Sequence, residues 1–120
     1  MKKIITIIAL IIAPLTANST ELTATELAQI CKESSKSFTE NEFDRQLASK
    51  CKGYIAGFFD SMLIIERQLD KKILCMPGTL PKAQNNLILN KWIEQNKDIA
   101  SKTTGTVALY AAFKTTFPCK

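Results

Sequence analysis

The sequence predicts an all-α fold: a small disulfide-braced bundle of about four helices. Three observations predict it. Apolar residues recur at steps of three and four along most of the chain, and no period-two alternation persists. Two helix starts carry paired capping signals. Four cysteines, Cys31, Cys51, Cys75 and Cys119, follow an export-type N-terminus in a chain of 120 residues.

Residues 1–17 read MKKIITIIALIIAPLTA. Lys2 and Lys3 form a basic start, an apolar run follows, Pro14 breaks it, and small residues lead to Ala17. This is the three-part pattern of a secretory signal peptide, with cleavage expected after Ala17. The apolar run is too short to span a bilayer, so no membrane association is expected after cleavage. Residues 18–120 then form a single helical domain. Removing Lys2 and Lys3 from 16 basic residues leaves 14 against 11 acidic ones. The lysines are interleaved with acids and form no basic block with aromatics, which argues against a nucleic-acid partner.

In LTATEL, Thr23 precedes Glu26 by three residues, with Leu22 and Leu27 outside them. In FTENEF, Thr39 precedes Glu42, flanked by Phe38 and Phe43. Each is a capping box with a hydrophobic staple. The first helix is expected over 24–32, with Leu27, Ile30 and Cys31 inward. The second starts at Glu40 and carries Phe43, Leu47, Cys51, Tyr54, Ile55, Phe58, Met62, Ile65 and Leu69. Its length allows a bend near Ser49 or Gly53. Lys71 and Lys72 suit its C-terminal dipole.

CMPGTLP interrupts the pattern. Thr79 is expected to cap the third helix, with Pro81 in its first turn. That helix carries Ala83, Leu87, Ile88, Trp92 and Ile93. After a turn at Asn96 and Lys97, Asp98 caps a fourth helix carrying Ile99, Val107, Tyr110, Ala111, Phe113 and Phe117, with Gly105 weakening its middle. Pro118 ends it.

An exported chain with an even number of cysteines and no CxxC favours two disulfides over a zinc site, which needs closely paired ligands. Antiparallel third and fourth helices bring Cys75 beside Cys119, which leaves Cys31 with Cys51. Spacing alone leaves the other two pairings open.

The chain contains no histidine. That removes Ser-His-Asp and Cys-His catalysis and the commonest metal ligand. No metal site and no cofactor are expected. Asp60 and Glu66 are six apart and point in different directions, so they form no carboxylate pair. In CKGYIAGFFD, residues 51–60, Gly53, Tyr54, Gly57 and Phe58 read as a packing seam: small residues admit a close helix and aromatics fill the core. An exposed Phe59 would mark a self-association face.

The ordered set CKGYIAGFFD, then CMPGTL, a tryptophan in the next helix and a terminal FPC resembles the Rap/Tai family of type VI secretion immunity proteins over roughly residues 27–119. A looser echo lies at Cys31, Glu33 and Ser34. The resemblance implies a small all-helical periplasmic domain, a homodimer, with no enzymatic activity. Its partner would be a cognate protein toxin of peptidoglycan amidase type, whose active site it occludes. The polar turn of Glu94, Gln95, Asn96, Lys97 and Asp98 lies at the end of the bundle opposite Cys75 and Cys119. The loop 33–41, with Lys36, is expected at that same end. These residues are the expected toxin-facing surface.

A second class is a periplasmic acid-stress chaperone that binds unfolded proteins. It needs many groups that titrate near pH 4 and unfold it, whereas two bridges and no histidine favour a fold that persists. A third is an exported virulence factor.

Overall fold

A computed structural model describes residues 21–35, 42–78 and 80–120. Among these the chain forms five helices and no strand: α1 (Ala24–Ser35), α2 (Glu42–Leu69), α3 (Lys82–Gln95), α4 (Lys97–Ala100) and α5 (Gly105–Thr116).

The first capping box is formed. Glu26 Oε2 accepts the Thr23 N–H at 2.8 Å and its hydroxyl at 3.0 Å, and Thr23 Oγ1 accepts the Glu26 N–H at 3.2 Å. These donors hold the Glu26 carboxyl below the usual carboxylate range. Phe38, Thr39 and Glu40 lie outside the described residues. In α2, which is described from Glu42, that residue's carboxylate meets Arg45 at 2.6 Å. α2 continues for 28 residues through Ser49 and Gly53 without a break in its hydrogen bonding, a span of about 42 Å.

α2 ends in a Schellman motif. Asp70 adopts a left-handed backbone (φ 48°), the Asp70 N–H bonds the Arg67 carbonyl at 3.4 Å, and the Lys71 N–H bonds the Glu66 carbonyl at 3.1 Å.

Three helix boundaries differ from expectation. α1 continues to Ser35, past the expected end at Lys32, so residues 33–35 are helical and do not belong to the expected loop 33–41. α3 begins at Lys82, with Pro81 at the N-cap in an extended conformation (ψ 147°) and no side-chain cap. Proline disfavours a helical residue before it, so no turn can start at Leu80. Thr79 lies outside the described residues. The expected fourth helix is divided. Asn96, not Asp98, is the N-cap of the single turn α4, and Thr104 caps α5, its hydroxyl accepting the Val107 N–H at 3.4 Å.

The cause of the division is tertiary. The segment before α1 lies against residues 103–105: the Ala24 N–H bonds the Thr103 carbonyl at 2.8 Å, and the Gly105 N–H bonds the Leu22 carbonyl at 2.7 Å. The Gly105 N–H, spent on Leu22, is not available to the carbonyl four residues before it, so the helical ladder is interrupted there. Gly105 therefore opens α5 rather than sitting in the middle of a helix.

α1 is the centre of the packing and touches α2, α3 and α5, while α3 lies on α5. Leu27 and Cys31 of α1, Cys51, Ile55 and Phe58 of α2, Leu89 of α3 and Leu109 and Phe113 of α5 form the buried core. On α3 the inward face holds Ile88 and Leu89, whereas Leu87 is 67% exposed. On α5, Ala108, Leu109, Ala112 and Phe113 turn inward and Val107 turns out. Disulfides join Cys31 to Cys51, tying α1 to α2, and Cys75 to Cys119, tying the segment before α3 to the chain after α5.

Candidate functional site

All four cysteines are in disulfides and the chain has no histidine. Among the described residues no three His, Cys, Asp or Glu side chains gather as metal ligands, and no helix is long and apolar enough to cross a membrane. The rigid and unevenly charged parts of the surface define the candidate site.

Residues 71–76 form a heavily anchored connection. They leave α2 through the Schellman motif. The buried Glu66 carboxylate then receives the backbone N–H groups of Ile73 and Leu74 on Oε1, at 2.8 and 2.9 Å, and the Lys72 ammonium on Oε2 at 3.0 Å. Those two amides, from Leu74 first and Ile73 second, outweigh burial, and with Lys72 they hold the carboxyl below its usual range. Leu74 is buried in the core, and the next residue, Cys75, is cross-linked to Cys119. A helix terminus, a carboxylate and a disulfide thus fix five consecutive residues, Lys71 to Cys75.

A depression lies on each side of this segment. One, of about 410 Å³, has apolar walls of Phe59, Met62, Leu63, Leu74, Met76 and Leu80, with Glu66 and Lys72 at its edge. The other, of about 680 Å³, is lined by Lys71, Lys72, Lys114 and Lys120 around Ile73, Tyr110, Pro118 and the second disulfide. The Lys114 ammonium donates to the Tyr110 hydroxyl at 2.8 Å and stands 5.2 Å from that ring's centre.

The expected polar corner is more built than a free loop. The Asn96 side-chain amide donates to the Trp92 carbonyl at 2.8 Å, and the Asn96 carbonyl accepts the N–H groups of Ile99 and Ala100 at 3.1 and 2.9 Å. Lys97 pairs with Glu94 at 2.9 Å on the exposed surface, which raises the Lys97 pKa. Gln95 and Asp98 face solvent. Lys36 lies outside the described residues.

The seam is only partly where it was expected. Phe58 is buried, and the Tyr54 hydroxyl lies 3.0 Å from Thr106 Oγ1. Gly53 and Gly57, however, are exposed, and a Cβ on either would meet nothing within 4 Å. These two glycines are on the outer face of α2, away from α1. The close approach occurs instead at Gly105, where a Cβ would stand 2.8 Å from the Tyr54 hydroxyl oxygen and 3.0 Å from Leu27 Cδ2. Phe59 is part-buried, its ring edge-on to Phe113 with centres 5.0 Å apart.

From sequence, Glu66 is only set aside as half of a carboxylate pair and Lys71 and Lys72 only suit the α2 dipole; neither the anchoring by Glu66 nor the gathering of the four lysines is foreseen. A signal was there: all four lysines lie within five positions of Cys75 or Cys119, so pairing those cysteines gathers them.

Nothing among curated proteins and nothing among solved structures matches the chain. A family model described as Rap1a immunity proteins matches residues 23–119, which runs from the Thr23 cap to the last cysteine and includes both disulfides, the anchored segment and every helix described above. The chain belongs to the Rap1a immunity protein family.

Proposed function

We propose that this protein is a periplasmic immunity protein that binds and neutralises a type VI secretion effector, of peptidoglycan amidase type, by covering its active site. The observation that carries the reading is the family match over residues 23–119. Two disulfides suit an oxidising compartment, and residues 1–17 supply the signal for export to it. The protein acts by occupying the toxin, with no chemistry of its own.

Two surfaces compete for the toxin. One is the corner of residues 94–98, with Lys36. The other is the anchored segment 71–76 with its flanking depressions, and the geometry favours this one: a connection already held in one conformation loses little freedom on binding. The protein is also proposed to pair with a second copy. Ile64 is 58% exposed on the same open face of α2 as Gly53 and Gly57, which offers a flat surface to a matching helix.

The test is protection. An effector encoded by a neighbouring reading frame, directed to the periplasm, should lyse cells, and co-expression of this chain with its signal should restore growth. The purified pair should form a stable complex at neutral pH in which peptidoglycan cleavage stops. Lysis that continues despite periplasmic accumulation of this protein, for every neighbouring effector tried, rejects the reading. Sedimentation of the mature chain tests the dimer.

A further inference from the structure

We infer that the lysine-lined depression beside the Cys75–Cys119 disulfide is a docking site for an acidic segment of a partner protein that also presents apolar side chains. The identity of that partner rests on the immunity reading; the chemistry of the site does not.

Lys71, Lys72, Lys114 and Lys120 border the depression, and no Asp or Glu side chain lines it. Outside the signal peptide the chain is nearly balanced, 14 basic residues against 11 acidic, so this concentration is local. Of the four, only Lys72 has an ion-pair partner among the described residues, Glu66. Lys114 contacts the Tyr110 hydroxyl and ring and meets no carboxylate among the described residues. Like charges crowded on one surface repel, and a partner carrying the opposite sign relieves that repulsion and is steered to the site.

The floor sets the second requirement. Ile73 and Tyr110 line it, and Leu69 at its edge is 61% exposed. Apolar surface rimmed by charge is the anatomy of a protein interface rather than of a simple ion site. The disulfide and the Glu66 hydrogen bonds keep floor and rim in place before binding. An acidic segment with interspersed aliphatic residues complements both parts.

The probe is a short peptide of alternating glutamate and leucine, with its glutamine–leucine counterpart as control, titrated into the mature domain at low salt. Amide resonances of Lys71, Ile73, Tyr110 and Lys114 should shift with the glutamate peptide alone. Binding should weaken as salt screens it. The exposed triple charge reversal Lys71→Glu, Lys114→Glu and Lys120→Glu should lose at least about tenfold in affinity, as expected of several interfacial charges, while its circular dichroism and disulfides stay unchanged. Equal binding of the two peptides, shifts mapping elsewhere, or binding of phosphatidylglycerol vesicles without the glutamate peptide would overturn the inference. With a protecting effector in hand, the same triple variant should bind it at least about tenfold more weakly. Full affinity in that variant sinks the site while leaving the immunity reading intact, whereas failure of all effectors with retained peptide binding does the reverse.

Discussion

Gly105 lies so close to Tyr54 that a methyl group on its Cα would stand 2.8 Å from the phenolic oxygen. This contact joins the start of α5 to the middle of α2, and the Tyr54 hydroxyl goes on to meet Thr106 at 3.0 Å. Leu27 of α1, fully buried, closes the same point at 3.0 Å. Three helices converge where one residue has no side chain.

Three glycines therefore respond to alanine in opposite directions. Gly105→Ala displaces Tyr54 and crowds Leu27, an overpacking cost of about 1–3 kcal/mol. Gly53→Ala and Gly57→Ala add a methyl in open space on an exposed helix, and each should stabilise the monomer by about 0.4–1 kcal/mol. Urea unfolding of a chain starting at residue 18 measures all three. If Gly57→Ala destabilises in a concentration-dependent way, a second copy packs on that face.

Glu66 makes a pH-dependent contribution whose sign follows from its hydrogen bonds. Its folded pKa lies below the ordinary value of 4.5, so the stabilisation is complete above that value and is lost as pH falls through the folded pKa. Glu66→Gln removes the charge-assisted bonds to Ile73, Leu74 and Lys72, and should cost about 1.5–3 kcal/mol at pH 7. The gap between wild type and variant should close as the pH is lowered below 4.5. A gap that stays constant with pH would show that the carboxylate is not the anchor.

The two disulfides should differ in worth and in local effect. They close spans of 20 and 44 residues, which the chain-entropy relation converts to about 3 and about 4 kcal/mol. Paired serine substitutions measured by thermal unfolding test the order. In the Cys75→Ser, Cys119→Ser variant, exchange of the Ile73 and Leu74 amides should stay slow, because Glu66 still holds them. In Glu66→Gln these amides should exchange faster although the disulfide persists.

Features that depend on neighbours in the chain are legible in the order of its amino acids. Thr23 and Glu26 cap each other across three residues, so α1 starts where the pattern says. Helical periodicity announces a helical bundle, and the absence of histidine removes most catalytic schemes. Membership of a family of immunity proteins is likewise within reach of motif order, since CKGYIAGFFD, CMPGTL and FPC are contiguous strings.

Three-dimensional packing decided the rest. Gly53 and Gly57 look like a seam in one dimension, yet which face of α2 is covered depends on where α1 lies, and the Cys31–Cys51 link puts α1 against another face. The helix expected from Asp98 onward divides because Leu22 and Ala24, far earlier in the chain, take backbone hydrogen bonds at 103–105. Cysteine spacing narrowed the pairing without choosing it. The lysine depression exists only once residues 71–72 and 114–120 meet across that link. Short-range signals such as the Thr23–Glu26 box act through bonds between near neighbours and hold where tertiary contacts leave them undisturbed, whereas burial, close approach and charge clustering are properties of the assembled chain.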